Sequence, residues 1–514
     1  MQRYSEGKSR EQVQVLSLEE MIGEDNTVRV FDAFANGLDM KKLGFMYAET
    51  KETGRKPMNP ADMCKLYIYG YFNGIRSSRK LERECTRNIE LMWLINNKTP
   101  HNKTISDFRK NNKKALENMF KDFSMFCDMI GLIGKEMVAI DGSKFRASNS
   151  RRRNFTKNKV NKMISHHEET AKKYTELLEK NDAEENNNEG VLKLSKEELQ
   201  NIIEDTQKRI EELKLMGEEI EINGEISMTD KDARHMSASN NGTDISHNVQ
   251  ISVESKHHLV VALDVISSPA DQGQLFNMAE ETAKELKIEL NKNKEEINVE
   301  ELTDEDFKLV VLADKGYYVY EDLKDCLESG IKPIVPKQKS PNMTGNEKYI
   351  TDNFLFDKEK DIYVCPEGQI LKNTTKKLDA KSFTYKNKTA CKNCKFKDQC
   401  TKNKDGRIIK RNENHEIYDI ANNIMAQNKS IYKLRQMIVE HVFGTVKRAL
   451  GYTYFLTRGN ESVRAESFMH FFTYNLKRVI NIKGVKYLIE ALNSYFLYYF
   501  LHFNIISSRL LKNA

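Results

Sequence analysis

EMVAID, residues 136–141, is a short apolar run that ends on an acid. It has the pattern of a buried strand delivering a carboxylate to the point where it leaves a sheet. Working outward, HNVQISVES (247–255) and HLVVALDVI (258–266) predict two strands in hairpin order around a Lys-His turn. SPADQGQLFNMAEETAKEL (268–286) then opens a helix, and FKLVVLADKGYY (307–318) predicts another buried strand ending on an acid. A helix through EDLKDCLESG (321–330) and a strand, IKPIVPK (331–337), follow. This β-β-α-β-α-β order predicts an α/β fold, a mixed sheet flanked by helices.

With 514 residues the chain is too long for one core, and two or three domains are expected. Residues 1–130 read as short helices joined by tight turns. SLEEMIGEDN has a Ser cap and an early acid pair, and MNPADMCKLYIYGYFNGI is a helix opened by Asn-Pro. SSRKLERECTRNIELMWLI continues the pattern with Leu81, Cys85, Ile89, Met92 and Leu94 inward, and PHNKTISDFRKNNKKALENMFKDF adds a basic helix. Such a Lys- and Arg-rich helical segment fits a DNA-binding module or the solvated face of a plain bundle. The sheet is assigned to 131–155 and 240–340. Between them, 156–239 reads as an acidic helical hairpin around NDAEENNNEG, with Ile203, Ile210 and Leu213 as its seam. Residues 341–428 form a second, basic and Cys-rich insertion, followed by a helical region at 429–485 and an apolar tail at 486–514.

The net charge of +6 is unevenly spread. Residues 142–165 carry eight bases and no acid, and 371–411 carry fourteen bases against three acids. Residues 166–235 hold twenty acids against ten bases. Basic blocks beside an acidic one suggest a polyanion contacted by some parts and avoided by another. No charged segment followed by an apolar core stands at the N-terminus, so no secretory signal is expected. The run SYFLYYFLHFNII (494–506) is too short to span a bilayer and is expected to be a buried terminal element. A cytoplasmic protein without a membrane partner follows.

IVEHVFGTVKR (438–448) predicts an amphipathic helix whose apolar face is Ile438, Val439, Val442, Phe443 and Val446. Its one acid is Glu440, and no other lies between Tyr432 and Arg458. Asp141 and Asp314 at the ends of two strands are each credible turn starters before Gly-Ser and Lys-Gly. Together with Glu440 they could converge on two divalent cations, which take oxygen ligands and suit in-line phosphoryl transfer. Gly444, one turn from Glu440, removes a side chain that would block approach. Lys447 lies on the same side, placed for a phosphate oxygen.

The chain resembles a DDE transposase of bacterial insertion sequences. The motifs that carry the resemblance are RKPMNPADMCKLYIYGYFNGIRSSRKLE, PHNKTISDFRK, VAIDGSKFRASNS, TDKDARHM, HNVQISVES, VLADKGYY, the cysteine segment and VEHVFGTVKRALG. The resemblance implies an RNase H-like catalytic domain with Asp141, Asp314 and Glu440 as the acids and two Mg²⁺ ions, for which Mn²⁺ can substitute. It also implies double-stranded DNA as partner, both terminal inverted repeats and target, and a homodimer that brings two ends together beside the nucleoid. Tyr432, Arg435, Lys447, Arg448 and Lys315 are then the DNA-binding candidates. The family signature is Y-x2-R-x3-E-x6-K, but here four residues separate Arg435 from Glu440. At about 100° per residue, a regular helix would rotate Arg435 roughly 140° away from Glu440. Only a bulge would realign them.

Cys365, Cys391, Cys394 and Cys400 lie in a Lys-rich, weakly patterned segment with zinc-ligand spacing, and a closed four-sulfur site would fold a stretch with little core. Free thiols and an iron–sulfur cluster are the alternatives. Asp271 is expected to cap a helix, and Asn248 and Gln250 to point either to the site or to solvent. The expected activity is metal-dependent cleavage at the ends of an insertion sequence followed by strand transfer. The rivals are a structure-specific nuclease that does not join, and a silent transposase-derived DNA-binding protein.

Overall fold

In the computed structural model, residues 11, 13, 15–49, 56–185, 195–237, 242–291, 302–337, 344–375, 382–412 and 415–510 are described. Five strands form the body of one mixed sheet: β1 (Met137–Arg146), β2 (Thr243–Glu254), β3 (Val260–Ile266), β4 (Leu309–Leu312) and β5 (Ile331–Ile334). Their spatial order is β3-β2-β1-β4-β5, and a short strand, Arg234–Ser237, also pairs with β2. β2 runs antiparallel to both neighbours, whereas β1, β4 and β5 are parallel. β4 is wholly apolar and β3 nearly so, as covered strands are, whereas β2 carries buried polar residues, among them His247, Asn248 and Gln250. Helices Leu275–Glu285 and Tyr320–Glu328 make the crossovers, and Asn460–Lys483 packs against β3.

The N-terminal helices are Leu18–Met21, Val28–Gly37, Pro60–Phe72, Ser78–Glu84, Ile89–Leu94, Asn102–Asn111 and Lys113–Met129. Ser17 and Glu20 form the capping box of the first, and Asn59 caps Pro60–Phe72 by accepting from Ala61 N at 2.9 Å. The segment 77–95 folds as two of these short helices. Asn88 takes the backbone N–H of Leu91 and restarts the helix in a new phase, leaving Ile89 exposed while Leu91 and Leu94 are buried. These helices share one apolar core with the sheet. Phe123 of Lys113–Met129 meets Phe34 and Phe472 at ring distances of 5.4 and 5.0 Å. Rings in such pairs contribute about 0.5–1.5 kcal/mol beyond their buried area. The last helix, Val485–Leu510, adds Tyr495 against Phe126, and no described helix is long and apolar enough to cross a membrane.

The acidic segment is a hairpin of Lys157–Glu185 and Lys196–Asn223, closed at its base by the strand pair Asn154–Thr156 and Glu225–Ser227. Val160, Leu213 and Ile220 form its seam. Residues 186–194, which include the second half of NDAEENNNEG, lie outside the described residues. The Cys-rich segment is an antiparallel sheet of Leu355–Asp357, Ile362–Val364, Ile370–Asn373, Ser382–Lys386 and Ile408–Asn412. It has a core of its own, Phe354, Tyr363, Leu371, Tyr385 and Ile409. Strands of three to five residues are too short for alternation to declare itself in sequence.

Candidate active site

β1 does not stop at Asp141. The turn expected at Asp141-Gly142 is absent because β2 offers ladder partners from Glu254 down to Ser246, which carries β1 through to Arg146. Asp141 is therefore a mid-strand residue, opposite Ile251. On the other side Ala139 pairs with Leu312 of β4, so Asp141 and Asp314, each two residues further, come side by side. Asp314 is the turn residue expected: it caps the short turn Lys315–Tyr317, accepting from Gly316 N at 2.6 Å.

The third acid arrives on an irregular helix. Gln436–Glu440 and Thr445–Ala449 are π-helical, with His441–Gly444 α-helical between them. A π turn brings residues five apart onto one face, and this absorbs the extra residue between Arg435 and Glu440. Arg435 Nη2 donates to Glu440 Oε1 at 3.2 Å, while Nη1 lies 3.4 Å from Asp141 Oδ2. The apolar face is as expected, with Ile438, Val439, Val442, Phe443 and Val446 all buried. Exposure grades across the site: the Arg435 side chain is 11% exposed, Asp141 19% and Glu440 49%. Burial pushes the Asp141 carboxyl up to about 6, with Arg435 opposing the rise and Asp314 adding to it. Burial alone would lower Arg435, but Asp141, Asp314 and Glu440 together hold it above its ordinary range.

The donor set is all carboxylate oxygen, which fits a hard divalent cation. Among the described residues no group of three or more His, Cys, Asp or Glu stands as a ready metal shell, and the guanidinium lies between Asp141 and Glu440. Lys447 donates to Ser143 Oγ and to the Lys144 carbonyl, both at 2.7 Å. Burial and the neighbouring Lys144 lower its ammonium to about 8. Lys315 and Arg448 are exposed at the rim, Tyr432 is half-buried, and a side chain at Gly444 would meet nothing within 4 Å.

Asp271 does not cap the following helix, whose N-cap is Gln274. It faces the sheet, where Oδ1 accepts from Lys144 Nζ at 3.1 Å and from Asn248 Nδ2 and Gln250 Nε2 at 2.7 Å each. Asn248 and Gln250 are buried and point into this cluster. Local sequence marked Asn248 and Gln250 as pointing to the site or to solvent, but their meeting with Asp271 depends on the register Gly142↔Gln250 and Lys144↔Asn248. The same register explains Gly142. A Cβ there would collide with the Gln250 amide and stand 2.5 Å from Asp271 Oδ1. Gly142→Ala is expected to destabilise the protein by roughly 1–3 kcal/mol through overpacking. A denaturant melt within 0.5 kcal/mol of the parent, about the scatter of a neutral substitution, would show that the cluster yields.

Two families match the chain. One, described as Transposase domain (DUF772), covers residues 16–111, and the other, Transposase DDE domain, covers 364–480. Both matches are to transposase domains, the second a DDE domain, and together they support a DDE transposase of an insertion sequence. No curated protein and no solved structure matches the transposase. Glu440, Arg435, Tyr432 and Lys447 fall inside the matched DDE domain, and so does the cysteine segment. In the transposase Cys365, Cys391, Cys394 and Cys400 line one cavity of about 30 Å³. Burial raises the Cys400 thiol to about 11, with Arg407 opposing and the other three cysteines adding. Gly406, at φ +92°, lies against Cys391, where a Cβ would stand 3.0 Å from Sγ. Thiolate is the ligand type of a soft cation such as Zn²⁺, but among the described residues no three of these groups are placed to hold an ion.

Proposed function

We propose that the transposase cleaves DNA at the ends of its element and joins the freed ends to target DNA, on an RNase H-like domain. The strand order β3-β2-β1-β4-β5 with only β2 reversed supports that fold assignment. The observation that carries the activity is the meeting of Asp141, Asp314 and Glu440 from two adjacent parallel strands and a helix around Arg435. Asp141, Asp314 and Glu440 would hold two Mg²⁺ ions, or Mn²⁺ in their place. Bound there, such cations would stabilise the attacking and leaving oxygens of an in-line displacement at phosphorus.

In this reading Arg435 balances the acids before DNA arrives and then turns to a phosphate. Tyr432, Lys315, Lys447 and Arg448 contact the backbone around the scissile bond. Lys447 does so by exchanging its hold on Ser143 and Lys144 for a phosphate oxygen. Water attacks the phosphorus and a 3′-OH leaves. That hydroxyl then attacks a target phosphodiester, whose own 3′ oxygen departs, so no side-chain nucleophile is needed. The N-terminal helices recognise the terminal inverted repeats in a homodimer, and the cysteine module holds a structural Zn²⁺. The working site is the cytoplasm, at the nucleoid.

The test uses duplexes carrying the repeats that flank the reading frame. The reading expects Mg²⁺-dependent cleavage, and joining of pre-cleaved ends to a plasmid. Cleavage without joining would favour the nuclease, and neither would leave a DNA-binding protein.

A further inference from the structure

Asp271 has no part in the chemistry proposed above, yet a chain of hydrogen bonds through it ties the three parts of the site together. Its Oδ1 takes Lys144, Asn248 and Gln250. Gln250 Oε1 in turn accepts the Tyr317 hydroxyl. Tyr317 belongs to the turn that Asp314 caps, and the carbonyl of Lys144 holds Lys447 of the helix.

The direction of this chain is set by charge. An ionised carboxylate only accepts, so Asn248 and Gln250 must both turn their NH₂ groups toward Asp271. Gln250 is then left with its oxygen facing Tyr317, and the single phenolic proton must go there. Asn248 Nδ2 donates to both Asp271 Oδ1 and the Ser268 carbonyl, which leaves Asn248 Oδ1 buried without a hydrogen-bond partner, a cost of about 1–3 kcal/mol. Gln250 and Tyr317 are fully buried, so water cannot substitute for either.

We infer that Asp271 is a positioning residue: its carboxylate orients Gln250 and through it Tyr317, and so fixes the Asp314 turn against Asp141. This rests on the reading of Asp141 and Asp314 as cation ligands. Partners that orient metal ligands, once removed, typically weaken metal binding by about 10–100-fold.

The experiment follows Mn²⁺ binding to the full chain by the electron paramagnetic resonance signal of free Mn²⁺, alongside thermal melting. Tyr317→Phe, which deletes one hydroxyl, and Asp271→Asn, which lets Gln250 turn over, are each expected to weaken binding about tenfold. Combined, they should do no worse than either alone, since both break the same chain. An additive loss, or parental affinity in both, overturns the inference. Should Asp271→Asn fail to fold, Tyr317→Phe paired with Gln250→Leu carries the same comparison. If Asp141→Asn also binds Mn²⁺ like the parent, the site reading falls as well. If Asp141→Asn loses binding while Tyr317→Phe and Asp271→Asn keep it, only the inference falls.

Discussion

Asp141→Asn is expected to be inactive and, in chelated buffer above pH 6, more stable than its parent. The two effects share one cause. Burial and Asp314 raise the Asp141 carboxyl to about 6, against about 3.9 in an unfolded chain. Between those values the folded protein keeps a proton that the unfolded chain has lost. Parental stability therefore falls as pH rises from about 4 to 6 and stays lower above that. Two pKa units correspond to about 3 kcal/mol, with the opposing effect of Arg435 already contained in the value of about 6. Asparagine has nothing to ionise, so this part of the slope should vanish, while the part from buried Asp122, also raised to about 6, remains. Cleavage should drop by about 10³-fold or more, the scale of removing a group that stabilises transition-state charge, while binding to the element's ends persists. Urea melts at pH 5 and pH 7.5 in EDTA check the stability. Equal stability of variant and parent at both pH values would mean that Asp141 ionises without penalty.

Glu466→Ala should give the largest loss of stability. Glu466 is fully buried and accepts from the backbone N–H groups of Leu456 and Thr457 at 3.0 Å each and from Thr457 Oγ1 at 2.7 Å. Its other oxygen lies 3.5 Å from Arg76 Nη1, which also meets His470 at 3.3 Å. Burial, with Arg76 and Arg109 nearby, pushes His470 well below its ordinary range, so the ring adds no charge of its own. Alanine would leave a buried guanidinium without its carboxylate, held only by neutral partners such as the Tyr454 carbonyl, and three donors unmet, a loss of about 3–5 kcal/mol. Glu466→Gln keeps one acceptor and should lose about half as much. Adding Arg76→Met to Glu466→Ala should recover only part, because the donors of 456 and 457 stay unpaired. A loss under 1 kcal/mol in Glu466→Ala, typical of an exposed pair, would mean that water reaches this junction between the N-terminal helices and the sheet.

Much of this architecture could be read from local pattern. The acid that follows LVVLA, Asp314, the Asn59-Pro60 start and the five-residue apolar face of 438–446 are all rules of spacing, and spacing is local. What sequence missed depended on pairing. Asp141 was expected to end its strand because nothing in MVAIDGS reveals that β2 runs on to Ser246 beside it. Asp271 was expected to cap a helix because its three donors come from strands more than twenty residues away. Arg435 is intermediate. The misfit of its spacing to a regular helix was visible, and the π turn is the bulge that the misfit demanded.

The claim on which the account depends is that Asp141, Asp314 and Glu440 share divalent cations. The direct measurement is the number of Mn²⁺ ions bound per chain, by titration calorimetry in the presence of terminal-repeat DNA. Two ions in the parent, with loss in both Asp141→Asn and Glu440→Gln, is the predicted result. A parent that binds none, or a Glu440→Gln variant that binds as the parent does, would contradict it.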